Sequence, residues 1–167
     1  ESGECHEVVK EIKPQILYYL AADAREGRSQ FTPISATRNN FMAYVNTFTA
    51  CIKNKVKKVL YFSSMSVYGD QEPPFDEAMR RKPVDIYGVN KVACEQVTEI
   101  LAKVHDFKYT IIRPHNLFGE NQNITDPYRN VIGIWMNRIM NNKPPIIYGD
   151  GNQIRDFIYI DDVANAI

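Results

Sequence analysis

Three short apolar runs, set between stretches of helical periodicity, constrain this chain most. Ile16-Leu17-Tyr18-Tyr19-Leu20, Val59-Leu60-Tyr61-Phe62 and Tyr109-Thr110-Ile111-Ile112 are too short for helices. All three read as strands, and the near-continuous apolar character of the first is that of a buried strand. Between them, Phe31 to Lys53 carries Phe41, Tyr44, Val45, Phe48 and Ile52 at helical spacing. Ile86 to Val104 is a second helical stretch, and Asp85 stands where an N-cap belongs. Strands alternating with helices predict an α/β fold, a parallel sheet with helices on its faces. Glu7 to Ile12 reads as the end of an amphipathic helix that Pro14 stops. Later come a polar loop from Gly119 to Tyr128 and a helix from Val131 to Met140, in which Trp135 is a packing residue. Ile146-Ile147-Tyr148 and Phe157-Ile158-Tyr159-Ile160 read as short strands.

Composition removes several function classes. The 167 residues suffice for one domain with a real core, and 44% hydrophobic content fits a soluble globular protein. Twenty basic and twenty acidic side chains cancel, so no general attraction to nucleic acid or an anionic membrane is implied. No run approaches the roughly twenty apolar residues of a membrane span, and no secretory signal is visible. Cys5, Cys51 and Cys94 are odd in number, scattered and without metal-ligand spacing. They read as free thiols in a reducing, cytoplasmic setting.

The chemistry is concentrated in two segments. Tyr87 and Lys91 stand at i and i+4 in Asp85-Ile86-Tyr87-Gly88-Val89-Asn90-Lys91. That spacing puts them on one helix face, roughly 6 Å apart along the axis. A nearby ammonium favours a phenolate over the neutral phenol, whose ordinary pKa is about 10. Upstream lies Tyr61-Phe62-Ser63-Ser64-Met65-Ser66-Val67-Tyr68-Gly69. A serine on that loop could hydrogen-bond the same substrate oxygen as the tyrosine. Ser, Tyr and Lys together would move a proton during hydride chemistry at a carbinol carbon. The plain alternatives are a chance Tyr–Lys pair and a loop whose hydroxyls satisfy its own backbone. Leu20-Ala21-Ala22 closes a strand, where open α/β sheets place ligands and small side chains let backbone come close.

With these landmarks in order, the chain resembles the extended short-chain dehydrogenase/reductase superfamily. Within it the likeness is to the NAD-dependent epimerase/dehydratase family, most of all the UDP-glucose 4-epimerases. Further matching segments are Asn39-Asn40, Arg113-Pro114-His115-Asn116 with Phe118-Gly119, Arg129-Asn130-Val131, Tyr148-Gly149-Asp150-Gly151 and Arg155-Asp156-Phe157. The resemblance implies Tyr87 as acid/base, Lys91 as its electrostatic partner and ribose anchor, and Ser64 as the group orienting the substrate hydroxyl. Ser63 and Ser66 compete with Ser64 for that role, and the spacing back from Val67-Tyr68-Gly69 favours Ser64. It further implies NAD contacts from Leu20, Ala21, Ala22, Asn40, Ser63, Tyr87, Lys91 and Pro114, with Asn39 an alternative to Asn40. Substrate contacts would come from Ser64, Asn116, Asn130, Val131, Tyr148 as a base-stacking ring, and Arg155 as a diphosphate clamp whose guanidinium fork suits that geometry.

The eight glycines form no G-x-G-x-x-G cluster of the kind that receives a cofactor pyrophosphate. The expectation is therefore an internal fragment, carrying a partial Rossmann-like doubly wound parallel sheet without its glycine-rich βαβ unit. Residues 1–120 would be the C-terminal half of the NAD-binding domain, and 121–167 part of the nucleotide-sugar region. The complete enzyme would be a homodimeric, NAD-dependent 4-epimerase. The alternatives are a dehydratase or decarboxylase on the same scaffold, or an inactive fragment or binding module. Similar dehydratases follow the catalytic hydroxyl residue with an Asp and a Glu, whereas Ser64 is followed by Met65 and Ser66.

Overall fold

Asp85 and Asn130 open the two helices that the sequence marks most clearly. Each takes an extended backbone conformation and turns its side-chain oxygen onto an N–H of the first turn. Asp85 Oδ1 accepts from Gly88 N at 2.7 Å, and Asn130 Oδ1 accepts from Gly133 N at 3.3 Å. Donors that a helix start leaves unpaired are thereby satisfied. The helices that follow are Ile86–His105 and Val131–Met140. Asp106, in the left-handed region at φ 51°, ends the first of them.

The computed structural model describes residues 2–167. In chain order the elements are α1 (Ser2–Ile12), β1 (Ile16–Tyr19), α2 (Glu26–Ser29), α3 (Pro33–Thr37), α4 (Ala43–Lys53) and β2 (Lys58–Phe62). Then come α5 (Ile86–His105), β3 (Lys108–Ile112), β4 (Asn116–Phe118), α6 (Val131–Met140), β5 (Phe157–Tyr159) and α7 (Ile160–Ala166). A π-helical turn, Arg38–Met42, joins α3 to α4, and a 3₁₀ turn, Met65–Val67, follows β2. The chain divides into two compact units, one ending at Arg113 and the other running Pro114–Ile167.

In the first unit all strand pairing is parallel, in the order β1-β2-β3. Tyr19 pairs with Tyr61, and Tyr61 with Ile111, so the C-terminal strand ends are level. The core beside this sheet is aromatic. Tyr44 and Phe48 stack at 5.2 Å between ring centroids, and Tyr19 meets Tyr44 edge-on at 4.9 Å. Such ring pairs add about 0.5–1.5 kcal/mol beyond the area they bury. Tyr44 is wholly buried, and its hydroxyl shares a 2.6 Å hydrogen bond with Thr98 Oγ1, locking α4 to α5. In the second unit, β4 and β5 form a two-stranded parallel sheet with Asn116 opposite Phe157. Among the described residues no helix is long and apolar enough to cross a membrane.

The structure corrects five local expectations. The helix drawn from Phe31 begins only at Pro33, and Phe31 is exposed outside it. The same stretch is broken by the π turn rather than continuing to Lys53 as one α-helix. Strand β1 is not buried on both faces: it lies at the sheet edge, with Ile16 and Tyr18 exposed and Tyr19 buried. Ile146-Ile147-Tyr148 forms no strand and is exposed, while Asn116–Phe118, not expected as a strand, pairs with β5.

Candidate active site

The C-terminal end of β2 runs straight into the serine segment. Ser63 N donates to Ile112 O at 2.7 Å, carrying the ladder one residue past the strand. Ser64 then turns the chain. Its Oγ accepts from Ser66 N at 3.1 Å, and the turn Met65–Val67 begins. The turn docks on α5 where that helix has no side chain. A Cβ on Gly88 would lie 2.8 Å from Ser66 O and 2.9 Å from the Pro83 side chain. Gly69, at φ +65°, supplies the left-handed residue that lets the chain leave the turn.

Helix α5 presents Tyr87 and Lys91 to this region, and both are buried. Lys91 is only 3% exposed, and its Nζ donates to Phe62 O at 2.6 Å. The same ammonium lies 5.5 Å from the Tyr87 ring centroid and 5.0 Å from that of Tyr61. Burial pushes the Lys91 pKa down to about 8, against smaller upward effects of Cys94 and Glu95. One residue the sequence reading missed is Ser29 of α2. Its Oγ accepts from Tyr87 N at 3.2 Å while donating to Glu26 O at 2.6 Å, so α2 braces the start of α5.

In the first unit the segment carrying Ser63 and Ser64 meets the helix carrying Tyr87 and Lys91, through the approach of Gly88 to Ser66 and the Lys91–Phe62 hydrogen bond. Ser63 Oγ and Ser66 Oγ are buried without a hydrogen-bond partner among the described residues. Unpaired buried hydroxyls are uncommon and suit a hydroxyl-bearing ligand at a strand's C-terminal end. Leu20, Ala21 and Ala22 are exposed at the end of β1. Asn40 is buried, and its amide is already engaged. Oδ1 accepts from Asp23 N at 2.8 Å, and Nδ2 donates to Asp23 O at 3.3 Å and Ala36 O at 3.0 Å. Asn40 therefore fixes the loop that follows Ala22, whereas Asn39 is exposed.

The second unit holds Pro114 and the remaining positions. Asn116 Nδ2 donates to Asp156 O at 2.8 Å. Asn130, besides capping α6 just before Val131, donates from Nδ2 to Leu117 O at 2.6 Å and accepts from Gln122 Nε2 at 2.9 Å. Tyr148 is 80% exposed, and Arg155 is exposed with Nη1 on the neighbouring Ile154 O at 2.9 Å. Trp135 Nε1 donates to Ile146 O at 3.0 Å, tying the segment before Tyr148 to α6.

The NAD dependent epimerase/dehydratase family model matches residues 1–167. A putative UDP-glucose 4-epimerase of Methanocaldococcus jannaschii is 32% identical over 156 residues, covering 91% of this chain and 50% of that protein. A dTDP-4-dehydro-6-deoxyglucose reductase of Escherichia coli is 32% identical over 98% of this chain and 52% of its own length. A dehydratase and a decarboxylase are also among the relatives. The solved UDP-N-acetylglucosamine 4-epimerase of Methanobrevibacter ruminantium, in complex with UDP-N-acetylmuramic acid, superposes with a TM-score of 0.91 at 34% identity. It is covered over 52% of its chain by 98% of this one. The chain spans about half the length of the curated relatives it matches.

Proposed function

The chain belongs to the NAD dependent epimerase/dehydratase family, and from that premise we propose that its parent protein is a nucleotide-sugar 4-epimerase of the UDP-glucose/UDP-galactose type. The observation that carries the reading is the Tyr87–Lys91 face of α5 set against the serine turn. Lys91 lies 5.5 Å from the Tyr87 ring centroid, and Gly88 meets Ser66 backbone. Tyr87 takes the proton from the sugar 4-hydroxyl and returns it after inversion. The positive charge of Lys91 favours the ionised form of that phenol. Ser64 holds the reacting oxygen in line with Tyr87. When bound, NAD supplies the hydride acceptor and donor for the sugar carbon. Lys91, Tyr87 and Ser63 hold the cofactor, with Leu20, Ala21, Ala22 and Pro114 beside it. Asn40 contributes by fixing the Ala22–Asp23 backbone.

In the second unit Asn116, Val131, Tyr148 and Arg155 are the substrate contacts of this reading. Asn130 acts there through its backbone, because its side chain is committed to the α6 cap. Residues 1–120 supply the C-terminal half of the NAD-binding domain, and 121–167 belong to the nucleotide-sugar region. The parent is a homodimer. Val89, Ile100 and Val104 are exposed along one face of α5, an apolar stripe suited to a second copy. Three free cysteines fit a cytoplasmic setting. A dehydratase or decarboxylase is the second reading, because relatives with those activities share the scaffold. Against dehydration, Met65 and Ser66 offer no carboxylate beside Ser64. The test is incubation of the intact protein with UDP-glucose, UDP-galactose and their glucuronate analogues, with products separated and assigned by NMR. Interconverted 4-epimers are expected; a 4-keto-6-deoxy sugar as main product overturns the epimerase reading, and no turnover with bound nucleotide sugar marks a binding module.

A further inference from the structure

Glu95 lies on the α5 face that carries Tyr87 and Lys91, one turn beyond Lys91, and is completely buried. A carboxylate so deep requires charged partners. Arg113 forks onto it, with Nε 2.9 Å from Oε1 and Nη2 2.8 Å from Oε2. Arg81 Nε adds a contact to Oε2 at 2.8 Å. The far side of Arg81 grips Glu99, with Nη1 3.2 Å from Oε2 and Nη2 on Oε1. Two arginines and two glutamates close the cluster at zero net charge.

Arg113 then reaches the serine turn. Its Nη1 donates to the Tyr68 hydroxyl at 2.9 Å and to Glu77 O at 3.2 Å, and its guanidinium carbon lies 5.1 Å from the Tyr68 ring centroid. Tyr68 is the residue that closes the turn, donating from its backbone N to Met65 O at 3.0 Å. Its ring stacks on Phe75 at 4.9 Å. A continuous chain of charged hydrogen bonds thus runs from the end of the serine turn, through Arg113, to the carboxylate one turn from Lys91. A bidentate guanidinium–carboxylate pair fixes direction as well as distance.

We infer that Glu95, Arg113 and Tyr68 form a positioning clamp that sets the serine turn against the Tyr87–Lys91 face of α5. The inference rests on the catalytic reading of Ser64, Tyr87 and Lys91 given above. None of the three clamp residues touches the reacting atoms. They act through the placement of Ser64, whose hydroxyl serves only if it shares a substrate oxygen with Tyr87. The alternative is a purely structural cluster that holds the unit together without tuning the centre.

Tyr68→Phe in the intact protein separates the two. It keeps the ring, its stacking on Phe75 and its place under Arg113, and removes only the accepting oxygen. The clamp predicts a roughly tenfold to hundredfold fall in kcat, with KM for the nucleotide sugar within about twofold and melting within a few degrees. Amide hydrogen exchange at Val67, Tyr68 and Gly69, which close the turn, should quicken. Arg113→Lys, which keeps charge but loses the fork, should reproduce the kcat loss. Wild-type kcat with unchanged exchange in Tyr68→Phe overturns the clamp, as does a kcat loss that only tracks a collapse in melting temperature. Tyr87→Phe is measured alongside. If it is inactive while Tyr68→Phe is normal, the clamp alone fails; if it is active, the catalytic reading fails and the clamp with it.

Discussion

Adding one methyl group at Gly88 tests how closely the serine turn must sit on α5. The new Cβ would stand 2.8 Å from Ser66 O and 2.9 Å from the Pro83 side chain, while the Gly88 N–H stays bound to Asp85 Oδ1. Ordinary contacts of this kind lie several tenths of an ångström further out, so the turn must retreat by about 0.5–1 Å. Overpacking of this size costs about 1–3 kcal/mol. Alanine returns about 1 kcal/mol through its better helix propensity. The net loss in stability is therefore small, about 0–2 kcal/mol. Catalysis is less tolerant, since a displacement of about 1 Å can cost about 10²-fold. Gly88→Ala should lower kcat about tenfold to hundredfold while the melting temperature falls by only a few degrees. Lys53→Ala, exposed at the C-terminal end of α4, is the control and should change neither. Steady-state kinetics and calorimetry on the intact protein decide the matter. A Gly88→Ala protein with wild-type kcat would refute the argument that this contact places the serine.

Tyr87→Phe should cut turnover by about 10²–10⁴-fold with folding intact, read from kinetics beside a thermal melt. For Lys91, burial holds the folded pKa near 8, below the usual 10.5. The folded state therefore releases this proton first as pH rises, the burial cost of the ammonium is fully present below pH 8, and stability should increase between pH 8 and 10.5. Denaturant titrations should show that increment, and Lys91→Met should abolish it; kcat should decline over the same range as the ammonium is lost. Arg155→Ala should raise KM for the nucleotide sugar by about 1.5–3 kcal/mol, tenfold or more, without releasing NAD. Loss of NAD with an unchanged KM would remove Arg155 from the substrate contacts.

The parts legible in the sequence were those with local causes. Asp85 announces its helix because a cap acts within three residues, and α6 spans Val131–Met140 as its helical pattern predicts. The strands β2 and β3 are short apolar runs flanked by turn chemistry, and both formed. What escaped depends on distant partners. Asn116–Phe118 is a strand only because Phe157–Tyr159 lies beside it, and Ile146–Tyr148 has strand-like residues but no strand pairing in the structure. Glu95 and Arg81 look like surface charges in sequence. One signal was present: Glu95 falls at i+4 from Lys91 and i+8 from Tyr87, on the face that carries both. Ser29 left no such trace, since its bond to Tyr87 joins positions 58 residues apart.

The π turn at Arg38–Met42 has an evolutionary consequence. A π turn accommodates one more residue than the α-helix it interrupts, and a one-residue step rotates everything beyond it by about 100°. Here that step lets Asn40 face the Asp23 backbone while Tyr44 and Phe48, further along, still face the sheet. Deleting a single residue from this turn would restore a regular helix and could raise helical regularity, but it would pull Asn40 out of phase with the loop it holds. The loop's grip and the core's packing are thus inherited on two separate registers, joined by one spare residue. A lineage that keeps the aromatic core can lose or re-aim the grip on the Ala22–Asp23 loop by one codon's deletion, with the sheet left standing.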